Sequence, residues 1–191
     1  IKALLVNTKN ANTFTGAQGQ EGLETLSKNL AKNLTLKESQ KEDGTTNVVK
    51  PNEILFASTG VIGEKFPTQQ IKSNIPNLVE KLRDRQTKFV GFKAASSIMT
   101  TDTRPKLAYE ECRVWNKDIR LCAVAKGSGM ISPNMATMLA FVFTDADIPS
   151  IYLKSLLKKA VSNSFNAITI DSDTSTNDME AIFFKNKVKN G

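Results

Sequence analysis

Residues 126 to 144 read KGSGMISPNMATMLAFVFT, and this stretch decides how the chain divides into elements. Its first part, Lys126 to Asn134, holds two glycines and a proline, which are residues that interrupt regular structure. Its second part, Met135 to Thr144, is strongly apolar and rich in β-branched and aromatic residues, as buried strands are. The stretch therefore predicts a loop that leads directly into a central strand.

Further strands and helices are predicted on both sides of this central strand. The predicted strands are residues 1–6, 53–58, 108–115, 119–125, 165–170 and 179–184. The predicted helices are residues 21–34, 67–82, 89–99 and one that begins at 148–150 with Leu153, Leu156, Leu157, Ala160 and Val161 facing inward. Because the two kinds of element mix without a regular βαβ rhythm, the order predicts an α+β fold.

Length and composition fit an ordinary folded domain. The chain has 191 residues, of which 40% are apolar and 24% are charged, and this is enough for a buried core. No run of about 18 apolar residues occurs, so we expect no membrane span and no membrane partner. We predict one α/β domain over residues 1–191 that forms part of a longer protein, because the sequence lacks an initiator methionine.

The net charge of +7 raises the alternative of a basic nucleic-acid-binding module. The lysines are scattered over positions that form the wet faces of predicted helices, and arginines do not alternate with aromatic residues. A solvated surface therefore explains the charge better than a nucleic-acid groove, and we expect no nucleic-acid partner.

The absence of histidine narrows the possible chemistry. Neither a Ser-His-Asp or Cys-His site nor an HExxH zinc site can be assembled from this chain alone. Cys112 and Cys122 form no CxxC pair and no disulfide framework. Any acyl-transfer or hydrolytic reaction must therefore use a base other than histidine.

Four stretches are more polar and richer in hydroxyl groups than packing requires: residues 57–63, 99–103, 126–139 and 171–178. Familiar motifs do not account for them. The glycines at 127 and 129 leave GxGxxG incomplete, and Gly60 to Gly63 lacks the ending of a phosphate loop. The last stretch begins like a calcium loop, but Thr176 and Ile182 occupy the positions of its glycine and its final carboxylate. We therefore expect no metal.

Together these stretches resemble the ornithine acetyltransferase (glutamate N-acetyltransferase) family. The run from Lys126 to Leu139 is similar to the family's self-cleavage signature, and the other three follow family blocks in the same order. The early segments Asn10-Ala11-Asn12 and Thr15-Gly16-Ala17-Gln18-Gly19 are similar to a further block, so the resemblance covers essentially the whole chain. Lys9 and Ser172 depart from it, since the family usually has glycine at both positions.

The resemblance implies an α+β fold, specifically a layered αββα-type sandwich of the kind found in this family and in related self-processing hydrolases. It implies self-cleavage between Ala136 and Thr137, so that residues 1–136 end an α chain and residues 137–191 start a β chain. The two chains would stay together as a heterodimer and pair into a heterotetramer. The expected location is the cytoplasm, or the mitochondrial matrix in a eukaryote.

The implied reaction moves acetyl from N2-acetylornithine to glutamate by a ping-pong mechanism through acetyl-Thr137, without a cofactor. Thr137 would be the nucleophile, with Thr59 and Gly60 forming the oxyanion hole. Thr100, Lys126 and Thr137 would contact the substrate. Because no histidine is present, we predict that the α-amino group that cleavage frees on Thr137 serves as base.

Other interpretations of the same residues stay open at this point. A related self-processing aminopeptidase or amidase would share the cleavage and the oxyanion hole but would pass the acyl group to water. Thr59 and Gly60 can equally be a turn that ends a strand, Lys126 a surface lysine, and Thr100 a helix cap. The sequence also leaves open whether acetyl-CoA serves as a second acetyl donor.

Overall fold

The computed structural model describes residues 1–39, 47–82, 88–114, 116–129, 138–168 and 178–188. The chain separates into two compact units, Ile1–Gln86 and Thr87–Gly191. Each unit has its own sheet and is described by itself. The expectation of one domain over the whole chain stays a prediction.

The first unit is a single βαβ crossover followed by a helix. Strand β1 (Ala3–Asn7) and strand β2 (Ile54–Ser58) pair in parallel, with Ala3 opposite Ile54 and Asn7 opposite Ser58. Helix α1 (Gly16–Glu38) connects them, as a parallel pair requires, and helix α2 (Thr68–Lys81) follows β2. The strands predicted at 1–6 and 53–58 are confirmed. The predicted helices at 21–34 and 67–82 are also confirmed, and α1 is longer than predicted.

The core of this unit lies between the two helices and the strand pair. Leu26 and Ile75 are completely buried, and their cluster is completed by Leu30, Ala31, Val49, Ile54, Phe66 and Val79. Burial of each large apolar side chain contributes about 1.5–3 kcal/mol, so this cluster fixes how α1 lies against α2. Pro76 lies inside α2, which continues through it to Lys81.

The second unit is built on a four-stranded sheet in the order β3-β4-β5-β6. Helix α3 (Lys88–Ser97) precedes it. Strands β3 (Lys106–Val114), β4 (Lys117–Lys126) and β5 (Leu139–Ala146) are antiparallel neighbours. Strand β6 (Met179–Val188) pairs with β5 in parallel, after helix α4 (Ser150–Ser162). The central strand is confirmed as β5, whose Leu139, Ala140 and Phe141 are buried.

The sequence predictions for this unit need two corrections. The strand predicted at 165–170 is wrong over its described residues, 165–168, because Phe165–Ala167 forms a short 3-10 helix shortly after α4. In α4 only Leu153 and Val161 of the predicted inward face are buried, whereas Leu156 and Ala160 are exposed. The predicted lack of a regular βαβ rhythm agrees with the described elements, in which the crossovers β1-α1-β2 and β5-α4-β6 belong to different sheets.

The α+β class is confirmed by this combination of helices and two sheets. Within the described ranges, no helix combines the length and apolar character that a membrane span needs.

Candidate functional site

One end of the four-stranded sheet carries several of the polar side chains that the sequence singled out. Lys126 at the end of β4 pairs with Leu139 at the start of β5, and Leu139 pairs with Met179 at the start of β6. Lys106, the first residue of β3, pairs with Ala125 next to Lys126. The residues just beyond these strand ends therefore meet at a common edge, which we call the sheet end.

Lys126 is the buried cation of the sheet end. Only 3% of the residue is exposed, and its Nζ donates a 2.8 Å hydrogen bond to Thr100 Oγ1. Burial lowers the pKa of Lys126, and the carboxylates of Asp102 and Asp178 partly offset that effect. Two of the three residues predicted to contact substrate, Thr100 and Lys126, are therefore brought together. The interpretation of Lys126 as a surface lysine is wrong.

Asp102 holds the two segments that carry Thr100 and Lys126. Its side chain is completely buried and accepts hydrogen bonds from Gly127 N–H at 2.7 Å, Thr100 N–H at 3.2 Å and Lys106 Nζ at 2.5 Å. Burial alone would raise the pKa of Asp102, but these three donors hold it below its usual value. The hydroxyls of Thr101 and Ser128 add a second link, 2.9 Å long, between the same segments.

Asp178 is the second carboxyl group at the sheet end. Its Oδ1 accepts a 2.7 Å hydrogen bond from the backbone N–H of Met138, just before β5. Its Oδ2 is buried, and no donor within the described part of the chain reaches it. Burial raises the pKa of Asp178 to about 6, against the opposing effects of the Met138 N–H and the charge of Lys126.

The predicted oxyanion pair lies in the first unit, directly after β2. Thr59 is 1% exposed, and its N–H donates to Asn7 O at 3.0 Å. Gly60 has a φ of +129°, and a Cβ there would lie 2.2 Å from the backbone carbonyl of Lys9. Only glycine allows this approach.

Lys9, one of the two departures from the family pattern, has a φ of +78°. This left-handed conformation favours glycine, and it costs another residue roughly 1–2 kcal/mol. The backbone around Lys9 keeps this left-handed conformation because Asn10 forms a β-bridge with Val61. In this bridge Ala11 N–H donates to Val61 O, and Val61 N–H donates to Lys9 O.

Several predicted features lie outside the described residues. These are Ala136 and Thr137 with the bond between them, Ser172, and all but the last residue of the 171–178 stretch. The nucleophile and the cleavage site therefore stay predictions. Among the described residues, no three of His, Cys, Asp and Glu come together as a metal-binding group, and the expectation that no metal is used stays a prediction too.

Neither Asp102 nor Asp178 was given a role of its own from the sequence, although the stretch 171–178 as a whole was expected to be structural support near the site. Both belong to stretches marked as unusually polar, but no spacing shows that either carboxyl group is buried. The available signal for Asp102 is a lone carboxylate among four hydroxyl-rich or apolar neighbours, Met99 to Thr103.

Comparisons with known proteins point to one family. The ArgJ family model matches residues 1–190. The chain is 42% identical over 182 residues to the arginine biosynthesis bifunctional protein ArgJ of Chlorobium chlorochromatii. The aligned region covers 95% of this chain and 38% of that protein. The chain is also 42% identical over 188 residues to the protein of the same name from Bartonella quintana, covering 98% and 42%. The chain therefore spans about two fifths of the length of the curated relatives it matches.

Two solved structures share the fold. The arginine biosynthesis bifunctional protein ArgJ of Bacillus halodurans matches with a TM-score of 0.56 and 30% identity over 69% of this chain and 60% of that one. An ornithine acetyltransferase of Mycobacterium tuberculosis, solved with ornithine, matches with a TM-score of 0.50 over 69% and 61%. At 22% identity the second likeness shows the fold alone.

Proposed function

Because the chain belongs to the ArgJ family, we propose that the full-length protein is an ornithine acetyltransferase (glutamate N-acetyltransferase) of arginine biosynthesis. The observation that carries the proposal is the sheet end. Buried Lys126, hydrogen-bonded to Thr100, pairs with Leu139, which is only two residues after Thr137 in the sequence. A buried cation with a neighbouring hydroxyl suits the carboxylate of an amino-acid substrate.

Self-cleavage comes first in the proposed mechanism. The Thr137 hydroxyl attacks the Ala136 carbonyl, the C–N bond breaks as the C–O bond forms, and water then hydrolyses the resulting ester. The products are the Ala136 carboxylate, the free Thr137 hydroxyl and a new α-amino group. Such an amine has a pKa of about 7.7–8.0, so it can accept a proton near neutral pH.

Acetyl transfer then proceeds in two steps. The Thr137 hydroxyl attacks the acetyl carbonyl of N2-acetylornithine while its proton passes through the α-amino group to the departing ornithine amine. The glutamate amine then attacks acetyl-Thr137 and restores the hydroxyl. The Thr59 hydroxyl and the Gly60 N–H would stabilise the oxyanion in both steps, and loss of one such donor typically costs about 100–1000-fold in rate. The two steps balance without a metal or another cofactor.

The transfer proposal is tested with the full-length protein, N2-acetylornithine and glutamate. We expect one N-acetylglutamate for each ornithine released, and an acetyl group on Thr137 when glutamate is left out. Thr137→Ser should keep a slower reaction, since it retains hydroxyl and amine, whereas Thr137→Ala should abolish it. Release of acetate without N-acetylglutamate would instead support an amidase, and transfer by Thr137→Ala would contradict the proposed nucleophile.

We further propose that the cleaved chains stay together as a heterodimer, pair into a heterotetramer and work in the cytoplasm. Native mass spectrometry of the full-length protein measures the assembly directly. The relatives are called bifunctional. Acetylation of glutamate from acetyl-CoA is therefore the second reaction to assay, with Thr137→Ala as control.

A further inference from the structure

Asp178 holds the backbone of Met138, the residue that follows the proposed nucleophile Thr137 in the chain. Its Oδ1 accepts the Met138 N–H at 2.7 Å, while the Met138 carbonyl accepts the N–H of Met179 at 3.1 Å. Both backbone polar groups of Met138 are thus held by consecutive residues, Asp178 just before β6 and Met179 at its start. The Met138 nitrogen belongs to the same peptide unit as the Thr137 carbonyl, so the position of one restricts the other.

Structural bonding alone does not explain why this acceptor is a carboxylate. An asparagine oxygen could accept the same N–H, and Oδ2 receives no hydrogen bond from the described residues. Removing the carboxyl group from water is unfavourable for its charged form, and its pKa is raised to about 6. An ionised acceptor, however, makes a hydrogen bond roughly twice as strong as a neutral one. The charge therefore serves to hold Met138 tightly.

We propose that Asp178 is a positioning residue whose carboxylate, by holding the Met138 N–H beside Lys126, fixes the place of the nucleophile-bearing residue at the sheet end. This inference rests on the proposed function, because it takes Thr137 as the nucleophile. Asp178 acts through the backbone and does not contact substrate. Its loss should therefore reduce kcat and leave KM unchanged, whereas loss of Lys126 should raise KM.

The pH profile separates this role from a purely structural one. The groups that act on Asp178 are the Lys126 ammonium on β4, the Met138 N–H before β5 and Glu180 on β6. Suppose that the reaction with N2-acetylornithine requires both an unprotonated Thr137 amine and an ionised Asp178. A plot of log kcat/KM for N2-acetylornithine against pH should then fall towards low pH with a slope approaching two below about pH 6. In Asp178→Asn one ionisation is gone, so the slope should be one.

The experiment uses the full-length protein with Asp178→Asn, Asp178→Ala and a matched control, Glu180→Gln. The control removes a half-buried carboxyl group from β6, two residues after Asp178. We expect slower self-cleavage and a kcat reduced by on the order of 10- to 100-fold for Asp178→Asn, with a larger loss for Asp178→Ala and little change for Glu180→Gln. Circular dichroism and thermal melting establish that each variant is folded.

Three results would overturn the inference. In the first, Asp178→Asn has the same activity as Glu180→Gln; in the second, Asp178→Asn raises KM and leaves kcat unchanged. In the third, log kcat/KM of the wild type falls with a slope of only one on the acidic side, down to pH 5. The pH profile of the wild type tests the inference even if neither Asp178 variant folds. A wild-type protein that neither cleaves nor transfers acetyl would contradict the proposed function itself, so the two failures are distinguishable.

Discussion

Gly60 is the residue whose identity the backbone restricts most clearly. Its φ of +129° disfavours a side chain, and the Lys9 carbonyl occupies the place that a Cβ would take. Gly63 provides a comparison, because its φ of +80° is also positive but no described atom lies within 4 Å of a Cβ built there. Substituting the two glycines therefore distinguishes the cost of a positive φ, present at both, from the cost of a clash with the Lys9 backbone, present only at Gly60.

We predict that Gly63→Ala lowers the free energy of unfolding by about 1–2 kcal/mol, from the left-handed conformation alone. Gly60→Ala should lower it by clearly more, since the Lys9 backbone must also move. Denaturant unfolding of both variants measures the difference. Equal losses would mean that the turn after β2 adapts freely, and Gly60 would then be a weaker candidate for a preorganised oxyanion hole.

Lys126 is the residue whose charge we expect substrate to use. Lys126→Met should raise KM for N2-acetylornithine by about 10- to 100-fold, which corresponds to the 1.5–3 kcal/mol of a hydrogen bond to a charged group. The control Lys158→Met removes one positive charge from the exposed side of α4. Steady-state kinetics measure both variants, and an unchanged KM for Lys126→Met would remove the residue from the substrate site.

At the scale of elements, Asp102 joins the segment after α3 to the end of β4. Its pKa in the folded protein lies below the usual 3.8. Such a group binds fewer protons when folded, so it stabilises the fold above about pH 4, and this contribution is lost as the pH falls through the lower folded value. The stabilisation is thus complete at neutral pH.

We therefore predict that the difference in Tm between the wild type and Asp102→Asn is constant from pH 7 to about pH 5 and narrows below about pH 4. Thermal melts across this range measure it, with Asp118→Asn, an exposed aspartate on β4, as the control for removing a carboxylate. A difference in Tm that widens as the pH falls would mean that burial, and not the three hydrogen-bond donors, has the larger effect on the pKa of Asp102.

The carboxyl end of α2 is held by α1 through one side chain. Lys37 Nζ donates to the carbonyls of Val79 (2.9 Å), Glu80 (3.4 Å) and Leu82. A cation at a helix C-terminus satisfies free carbonyls and opposes the negative end of the helix dipole. We predict that Lys37→Met lowers the free energy of unfolding by about 1–2 kcal/mol.

The control for that prediction is Lys32→Met, which changes an exposed lysine on the same helix. Denaturant unfolding should show little effect of Lys32→Met. If both variants lose the same stability, Lys37 contributes only as an ordinary helix residue and the three carbonyls find other donors.

At the scale of the whole molecule, periodicity predicted most of the elements, because amphipathic helices and apolar strands leave local patterns. It failed over the described part of the strand predicted at 165–170, where the apolar side chains of Phe165, Ala167 and Ile168 indicated a strand but Phe165–Ala167 forms a 3-10 helix after α4. It also overestimated the buried face of α4, where Leu156 is 55% exposed. Such outcomes depend on neighbours that are distant in sequence.

The site was predicted less completely than the fold. Thr100 and Lys126 were identified by resemblance, and their hydrogen bond supports pairing them. Asp102 and Asp178 were missed, because their role depends on burial at a strand end and on backbone donors at Gly127 and Met138. No spacing within either stretch encodes which N–H its carboxylate will meet.

The proposed mechanism requires a break at the Ala136–Thr137 bond, and the intact mass of the purified full-length protein tests this directly. We predict two chains whose masses place the break between Ala136 and Thr137, and a single uncut chain for Thr137→Ala. N-terminal sequencing of the second chain should begin with threonine. A wild-type protein that transfers acetyl as one uncut chain, or a Thr137→Ala variant still cut at this bond, would contradict the proposed mechanism.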